Sequence, residues 1–449
     1  MVGPSGGTGT GTVQGGGLMV HMQLQARPER QLIRPQRSLR HIDFVVRVEE
    51  APQTGDRRQP LTVALVLDRS GSMQGDKLTM ARRAALAALD RLDERDQAAV
   101  VVFDDRIDVL QRAAPVTAAV KEQVWAALTG LAARGSTALH EGWAMGCRAI
   151  VGDALPDSAP RLARLLLLTD GIANVGLTDP EQIASEAAGL LAHAGISTSA
   201  FGIGADYNES LLAPMATAGG GQFHHLRTTA DIGNAFVGEL EELFGVAAGD
   251  VALELVVDPG VSAELISEYW LTISDSTHSR ITIGNLLGGE ERHVVVRFGF
   301  PAWGQPPTMG IRARLCWTVN GAAKSCDWQE ARFSYAGDAS CDAEPRDAAV
   351  MHWVGLHHAY RAQRQAAEQS RDGNLAVAGK TLANVAERIQ SYAGSDRELQ
   401  EVVSELTAFK HEALQSPLAP MVAKDRIYSS QRLSKSQRDL RSQPPDPQR

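Results

Sequence analysis

The chain has 449 residues with 44 basic and 53 acidic side chains, and its formal net charge of −9 argues against a general nucleic-acid binder. An apolar content of 44% and a charged content of 22% are those of a globular protein with room for two or three domains, each with its own core. No stretch approaches the roughly 18 consecutive apolar residues of a membrane span, and the amino terminus lacks a charged-then-apolar export pattern, so a cytoplasmic location is the expectation.

Residues 3–17 are rich in Gly and Thr, and Arg27, Arg30, Arg34, Arg37 and Arg40 follow. Residues 1–40 therefore read as a disordered leader, with Met19 or Met22 as alternative starts, and the basic stretch as either a solvated tail or a source of salt-dependent contacts. His41 to Glu50 partly alternates polar and apolar residues, as a half-buried strand does. This strand has no place in a parallel sheet, so residues 41–59 are assigned to a β-sandwich completed later in the chain.

From 60 to 246 strands and helices alternate, which implies a doubly wound, mostly parallel sheet covered on both faces, Rossmann-like in the α/β class. The expected strands are 61–67, 97–103, 162–169, 196–203 and 221–226, with 106–110 as a hairpin partner of the second. Helices are expected at 76–93, 117–131, 138–151, 180–194, 208–218 and 230–246. The run Leu61 to Leu67 ends abruptly in Asp68, Ser70 and Ser72. That is a buried parallel strand opening into a polar loop at its carboxyl end, where ligands collect in open α/β sheets. Leu165 to Leu168 repeats the design with Asp170 at its end, and Gly135-Ser136-Thr137 offers a loop hydroxyl between the two. One of Asp68, Ser70 and Ser72 can cap the helix that follows, but capping employs one side chain and leaves the others unexplained. A carboxylate and two hydroxyls at alternate positions supply hard oxygens suited to Mg²⁺ rather than Zn²⁺.

Asp68, Ser70, Ser72, Thr137 and Asp170 match, in order, the D-x-S-x-S, loop Thr, later Asp pattern of the metal-ion-dependent adhesion site. Over roughly 60–246 the chain thus resembles the von Willebrand factor type A domain, in its bacterial type. The resemblance implies a bound Mg²⁺, with Mn²⁺ or Ca²⁺ as substitutes. It makes Ser70, Ser72 and Thr137 direct ligands, and Asp68 and Asp170 ligands or holders of coordinated water. It further implies that a Glu or Asp of a protein partner completes the ion's coordination. A second reading from the same resemblance is an adaptor subunit of an ATPase or chaperone-like complex.

Residues 250–338 hold short strands separated by Gly, Pro, Asn and Asp, the mark of an antiparallel sandwich. The type A unit is then inserted in this sandwich, or followed by it. Cys316 and Cys326 flank Asn320-Gly321, and a three-residue hairpin loop would set them opposite each other, as reduced thiols or as a cross-strand pair. Residues 345–415 are Ala-rich with helical spacing and read as helices near 346–370, 374–390 and 395–414. His352, His357 and His358 belong to a surface or interface face of the first of them. Residues 421–449 are polar and end on Q-P-P-D-P-Q-R, and they read as a disordered tail.

Enzymatic parts are missing. An aspartyl-phosphatase nucleophile needs a second Asp where Ser70 stands, and neither a G-x-S-x-G elbow nor a phosphate-binding G-x-x-x-x-G-K-[ST] loop occurs. His140 lies near enough to Thr137 to approach the ion or to be a solvated helix-start residue. Asp104 and Asp105 are turn residues or add charge to the rim. The sequence therefore predicts a non-enzymatic, metal-dependent interaction module.

Overall fold

A computed structural model describes residues 9–11, 20–49, 58–151, 161–302 and 307–435 of the chain. It begins with strands β1 (Gly9–Gly11), β2 (Met22–Pro28), β3 (Leu32–Ile33) and β4 (Ser38–Val48). The expectation of a disordered leader is overturned for residues 20–40. β2 runs antiparallel to β4 from Met22 opposite Val48 to Pro28 opposite Ile42, and it buries Met22 and Leu24. The alternation M-Q-L-Q-A carries this strand, a short period-two signal masked by the arginines around it. Residues 1–8 and 12–19 of the expected leader lie outside the described residues.

The central unit runs β5 (Leu61–Asp68), a 3-10 turn (Gly71–Met73), α1 (Asp76–Arg91), β6 (Gln97–Phe103), β7 (Ile107–Pro115), α2 (Ala118–Thr129), α3 (Leu139–Val151), β8 (Leu162–Thr169), α4 (Pro180–Ala194), β9 (Ile196–Ile203), α5 (Glu209–Ala218), β10 (Gly220–Leu226) and α6 (Asp231–Phe244). Its sheet has the order β10-β9-β8-β5-β6-β7, parallel except for the hairpin edge β7. Every residue of β5, β8 and β9 is buried, as strands covered on both faces must be. One face packs on Ala81, Ala85, Leu89, Phe236 and Leu240 of α1 and α6, the other on Trp143, Ile183, Leu211 and Met215 of α3, α4 and α5. The chain leaves β5 toward β6 on one side and β8 lies on the other, so a topological switch falls between β5 and β8.

The chain then continues through β11 (Val246–Val257), β12 (Ser262–Leu265), β13 (Trp270–Ile273), β14 (His278–Leu287), β15 (Glu291–Phe300), β16 (Thr308–Val319), β17 (Ala322–Ser325) and β18 (Gln329–Tyr335). They form two further sheets, β1-β2-β4-β15-β12 and β13-β14-β11-β16-β18-β3, with β17 paired to β16. Leu24, Phe44, Val296 and Phe298 of the first meet Leu253, Ile281, Leu315 and Phe333 of the second in one core. β4 pairs antiparallel with β15, from Ser38 opposite Phe300 to Arg47 opposite Glu291. The central unit thus departs after a strand of one sheet and returns into a strand of the other. The β16–β17 loop is the two residues Asn320 and Gly321, both at positive φ, rather than the three expected. Ser325 therefore faces Cys316, and both Cys316 and Cys326 are free thiols.

Five helices follow: α7 (Asp338–Ala343), α8 (Ala348–Arg371), α9 (Leu375–Ala393), α10 (Arg397–Gln415) and α11 (Pro420–Lys435). Asp347 caps α8 by accepting from Ala349 N and Val350 N, and Asp396 caps α10 by accepting from Leu399 N. The expected disordered tail is overturned through residue 435; residues 436–449 lie outside the described residues. α11 buries Ala423 and Ile427 at an i, i+4 spacing, while Lys424 pairs with Glu209 Oε2 at 2.9 Å and lies over the Tyr207 ring. His352 bonds Asp396, and His357 is buried and faces Ser434 Oγ at 3.3 Å, so both serve contacts between helices, while His358 meets His41 of β4 edge-on at 6.1 Å between ring centres.

Candidate metal centre

The carboxyl ends of β5 and β8 bring the site together. Asp68 ends β5 and is buried; its Oδ1 accepts from Ser70 N at 2.7 Å and its Oδ2 from Thr169 Oγ1 at 2.5 Å. Burial pushes its carboxyl up to about 6; Asp170 nearby adds to this, and the bonds from Thr169 and Ser70 offset part of it. Ser72, exposed on the 3-10 turn, donates to Asp170 Oδ1 at 2.7 Å and stands 3.1 Å from Ser70 Oγ. A methyl group placed on Gly171 would lie 3.0 Å from Thr137 Oγ1 and 3.6 Å from both Asp68 Oδ2 and Ser72 Oγ. All five expected residues thus converge on one crevice at the topological switch.

The Thr137 loop is held there by contacts distant in sequence. Gly135 O accepts from Gly71 N, Arg69 O accepts from Arg134 N, and Thr137 donates its backbone N–H to Asn174 Oδ1 and accepts at its carbonyl from Asn174 N. Asp104 is neither rim charge nor an ordinary turn residue. It is buried, accepts from Arg134 Nε at 2.7 Å and from Arg106 N at 2.7 Å, and its carbonyl accepts from Ala138 N. Arg69 Nε lies 3.0 Å from Asp104 Oδ2, an ion pair off the hydrogen-bond direction, and Arg69 also pairs with Asp108. α3 can come this close because Gly142 and Gly146 face the sheet, where a Cβ would strike Phe103 and Val66. His140 is bound to Glu186 Oε2 at 2.8 Å and is not among the converging groups.

Sequence reasoning passed over Lys77. Its ammonium, on the first turn of α1, bonds Asp170 Oδ2 directly. Two buried carboxylates and one ammonium leave a net negative charge in the crevice, and three hydroxyl oxygens surround it. That donor set suits a hard divalent cation. Among the described residues no group of three or more His, Cys, Asp or Glu side chains gathers as a metal cluster, so the crevice offers two carboxylates and hydroxyl oxygens rather than a ring of charged ligands.

Residues 62–237 match the family model of the von Willebrand factor type A domain. With the fold above, that match shows that this part of the chain is a type A domain. The uncharacterized protein sll0103 of Synechocystis sp. is 26% identical over 248 residues, covering 53% of this chain and 56% of that protein. The uncharacterized protein YfbK of Escherichia coli is 25% identical over 281 residues, 60% of this chain and 46% of that one. The chain therefore spans about half the length of the curated relatives it matches. Two solved structures share the wider architecture. A von Willebrand factor type A protein from Catenulispora acidiphila superposes with a TM-score of 0.72 at 17% identity, over 93% of this chain and 98% of that one. The ArnB paralog VWA2 from Sulfolobus acidocaldarius gives 0.60 at 15% identity, over 92% and 99%. Among the described residues no helix is long and apolar enough to cross a membrane.

Proposed function

We propose that the type A domain is a non-enzymatic module that binds a protein partner through a divalent cation. Ser70, Ser72 and Thr137 are its direct protein ligands, and Asp68 and Asp170 hold coordinated water or ligate. Type A domains commonly serve protein interaction, which is the coarser statement the fold already supports. The observation that carries the finer reading is the convergence of three hydroxyl oxygens on a crevice with one uncompensated buried carboxylate charge. With neutral hydroxyls as its direct ligands, a bound Mg²⁺ stays electrophilic and supplies an ionic anchor for an incoming carboxylate. The rim suits a partner, since Ile172 is 57% exposed and Val175 38% exposed in the loop that follows Asp170.

A Glu or Asp on the partner is the recognised group. Calorimetry with Mg²⁺ on the full chain tests the first half: wild type binds and Asp68→Ala does not, at unchanged circular dichroism. Equal uptake by both removes the reading. Purification of partners in Mg²⁺ and in EDTA tests the second half, and a partner set that is identical in the two buffers places the interaction elsewhere on the molecule.

A further inference from the structure

The chain carries a net charge of −9, yet one pocket outside the type A domain gathers five arginines around a single acid. Its volume is about 280 Å³, and Arg30, Arg40, Arg297, Arg346 and Arg388 line it together with Glu29, His41 and Tyr392. Arg30 follows β2, Arg40 lies in β4 and Arg297 in β15, Arg346 precedes α8, and Arg388 and Tyr392 belong to α9. The amino-terminal strands, the sandwich and the helical region thus each contribute, and the pocket exists only where the three meet.

Most of this charge is unspent. Glu29 is engaged by His41, accepting from its backbone N and facing its Nδ1, both at 3.1 Å. Arg297 pairs with Glu264, outside the pocket lining. Among the described residues Arg40 donates to the carbonyls of Leu32 and Leu39 and to no carboxylate. Among the described residues Arg30, Arg346 and Arg388 form no ion pair with a carboxylate, and Arg30 Nε is buried without a hydrogen-bond partner. The Tyr392 hydroxyl is also buried and unpartnered. A buried donor left unmade costs on the order of 1–3 kcal/mol, which applies to Arg30 Nε, while Arg346 and Arg388 hold their guanidinium groups at the solvent side, free of carboxylate partners and open to an incoming anion. Guanidinium forks match the planar pairs of oxygens on phosphate and carboxylate. The small volume, at the low end for ligand pockets of roughly 300–1,000 Å³, excludes a helix or strand as occupant. With several independent guanidinium forks lining one small pocket, a dianion fits better than a single carboxylate.

We propose that this pocket binds a small phosphate-type oxyanion, either free or as the phosphoryl group of a small molecule, independently of the metal centre.

The test is calorimetric titration of the full chain with inorganic phosphate, with glycerol 3-phosphate and with citrate, in EDTA at constant ionic strength. EDTA removes any anion uptake through a divalent ion. One phosphate-type ligand binds saturably at one site per chain, and Asp68→Ala binds it as the wild type does. Arg346→Gln and Arg388→Gln, both at exposed positions that the fold tolerates, weaken it about tenfold each, and Tyr392→Phe weakens it about threefold. Tighter binding of glycerol 3-phosphate identifies an esterified phosphate as the ligand, and tighter binding of inorganic phosphate identifies the free anion. Absence of saturable binding, binding unchanged in both Arg variants, or citrate outcompeting both phosphates overturns the proposal.

Discussion

Lys77 places a positive charge on Asp170 where a divalent cation would need that carboxylate's field. Replacing it with Gln removes a like-charge repulsion across a few ångströms and should tighten Mg²⁺ binding about tenfold, roughly 1.4 kcal/mol. Calorimetry with Mg²⁺ on Lys77→Gln checks this, and weaker binding would mean that Lys77 chiefly positions Asp170. Thr137 sits on a loop whose backbone is fixed by Asn174 and Gly71. Thr137→Ala should therefore cost partner affinity more than metal affinity, read as two dissociation constants on one preparation. The five oxygen-bearing residues were legible because carboxylate and hydroxyl alternate at strand ends. Lys77, Asp104, Arg134 and Asn174 were not, since their roles come from contacts 30 or more positions apart and look locally like ordinary helix and turn residues.

Asp250 offers a separate test at the same scale. It stands at a register shift in β11 with φ +52°, its Oδ1 is buried and unpartnered, and its Oδ2 accepts from Thr318 Oγ1 at 3.3 Å. Burial pushes its carboxyl from 3.8 to about 6, with Thr318, Arg164 and Arg280 offsetting part of the rise. A raised acid pKa means the folded state holds a proton that the unfolded chain releases. Its contribution is thus favourable below about pH 4, declines between about pH 4 and pH 6, and leaves a constant penalty above. Asn tolerates left-handed backbone and carries no charge. Asp250→Asn should then stabilise the protein at pH 7 by on the order of 2 kcal/mol and flatten its stability profile over that window. Denaturant titrations at pH 4, 6 and 7.5 decide it, and a variant less stable at pH 7.5 refutes the assignment.

At the scale of elements, the long periodic segments of the central domain were readable to within a residue or two, because fully apolar strands and amphipathic helices leave little ambiguity. The short strands β2, β3 and β12 were missed, each two to seven residues long and none with an apolar run longer than two residues. α11 was missed for another reason. Its composition is polar: Ala423 and Ile427 join the core of the preceding helices, while the buried Lys424 finds its partner, Glu209, on the type A domain. Burial lowers the Lys424 ammonium to about 8, with Arg371 adding to the effect, and Glu209 is also held by Arg371. Lys424→Ala should cost about 1–3 kcal/mol rather than the full penalty of an orphaned carboxylate. Limited proteolysis should then cut first between α10 and α11. An unchanged cleavage pattern would mean that α11 is held by its apolar contacts alone.

For the whole molecule, the amino-terminal strands decide whether the type A domain sits on a finished platform. β2 and β3 place Met22, Leu24 and Ile33 in the sandwich core, and β2 covers the edge of β4 that would otherwise lie open. Each of these large buried side chains is worth about 2–5 kcal/mol on removal, against a folding margin of roughly 5–15 kcal/mol. Removing residues 1–19 should therefore leave the melting temperature within a few degrees of the full chain. Removing residues 1–40 should give aggregated protein or a thermal transition lost from the sandwich, and it would also delete Arg30 and Arg40 from the basic pocket. Soluble yield and differential scanning calorimetry of the two truncations measure the difference. If the shorter protein stays soluble with an unshifted transition, the strands before residue 40 decorate the fold, and the platform is complete from β4 onward.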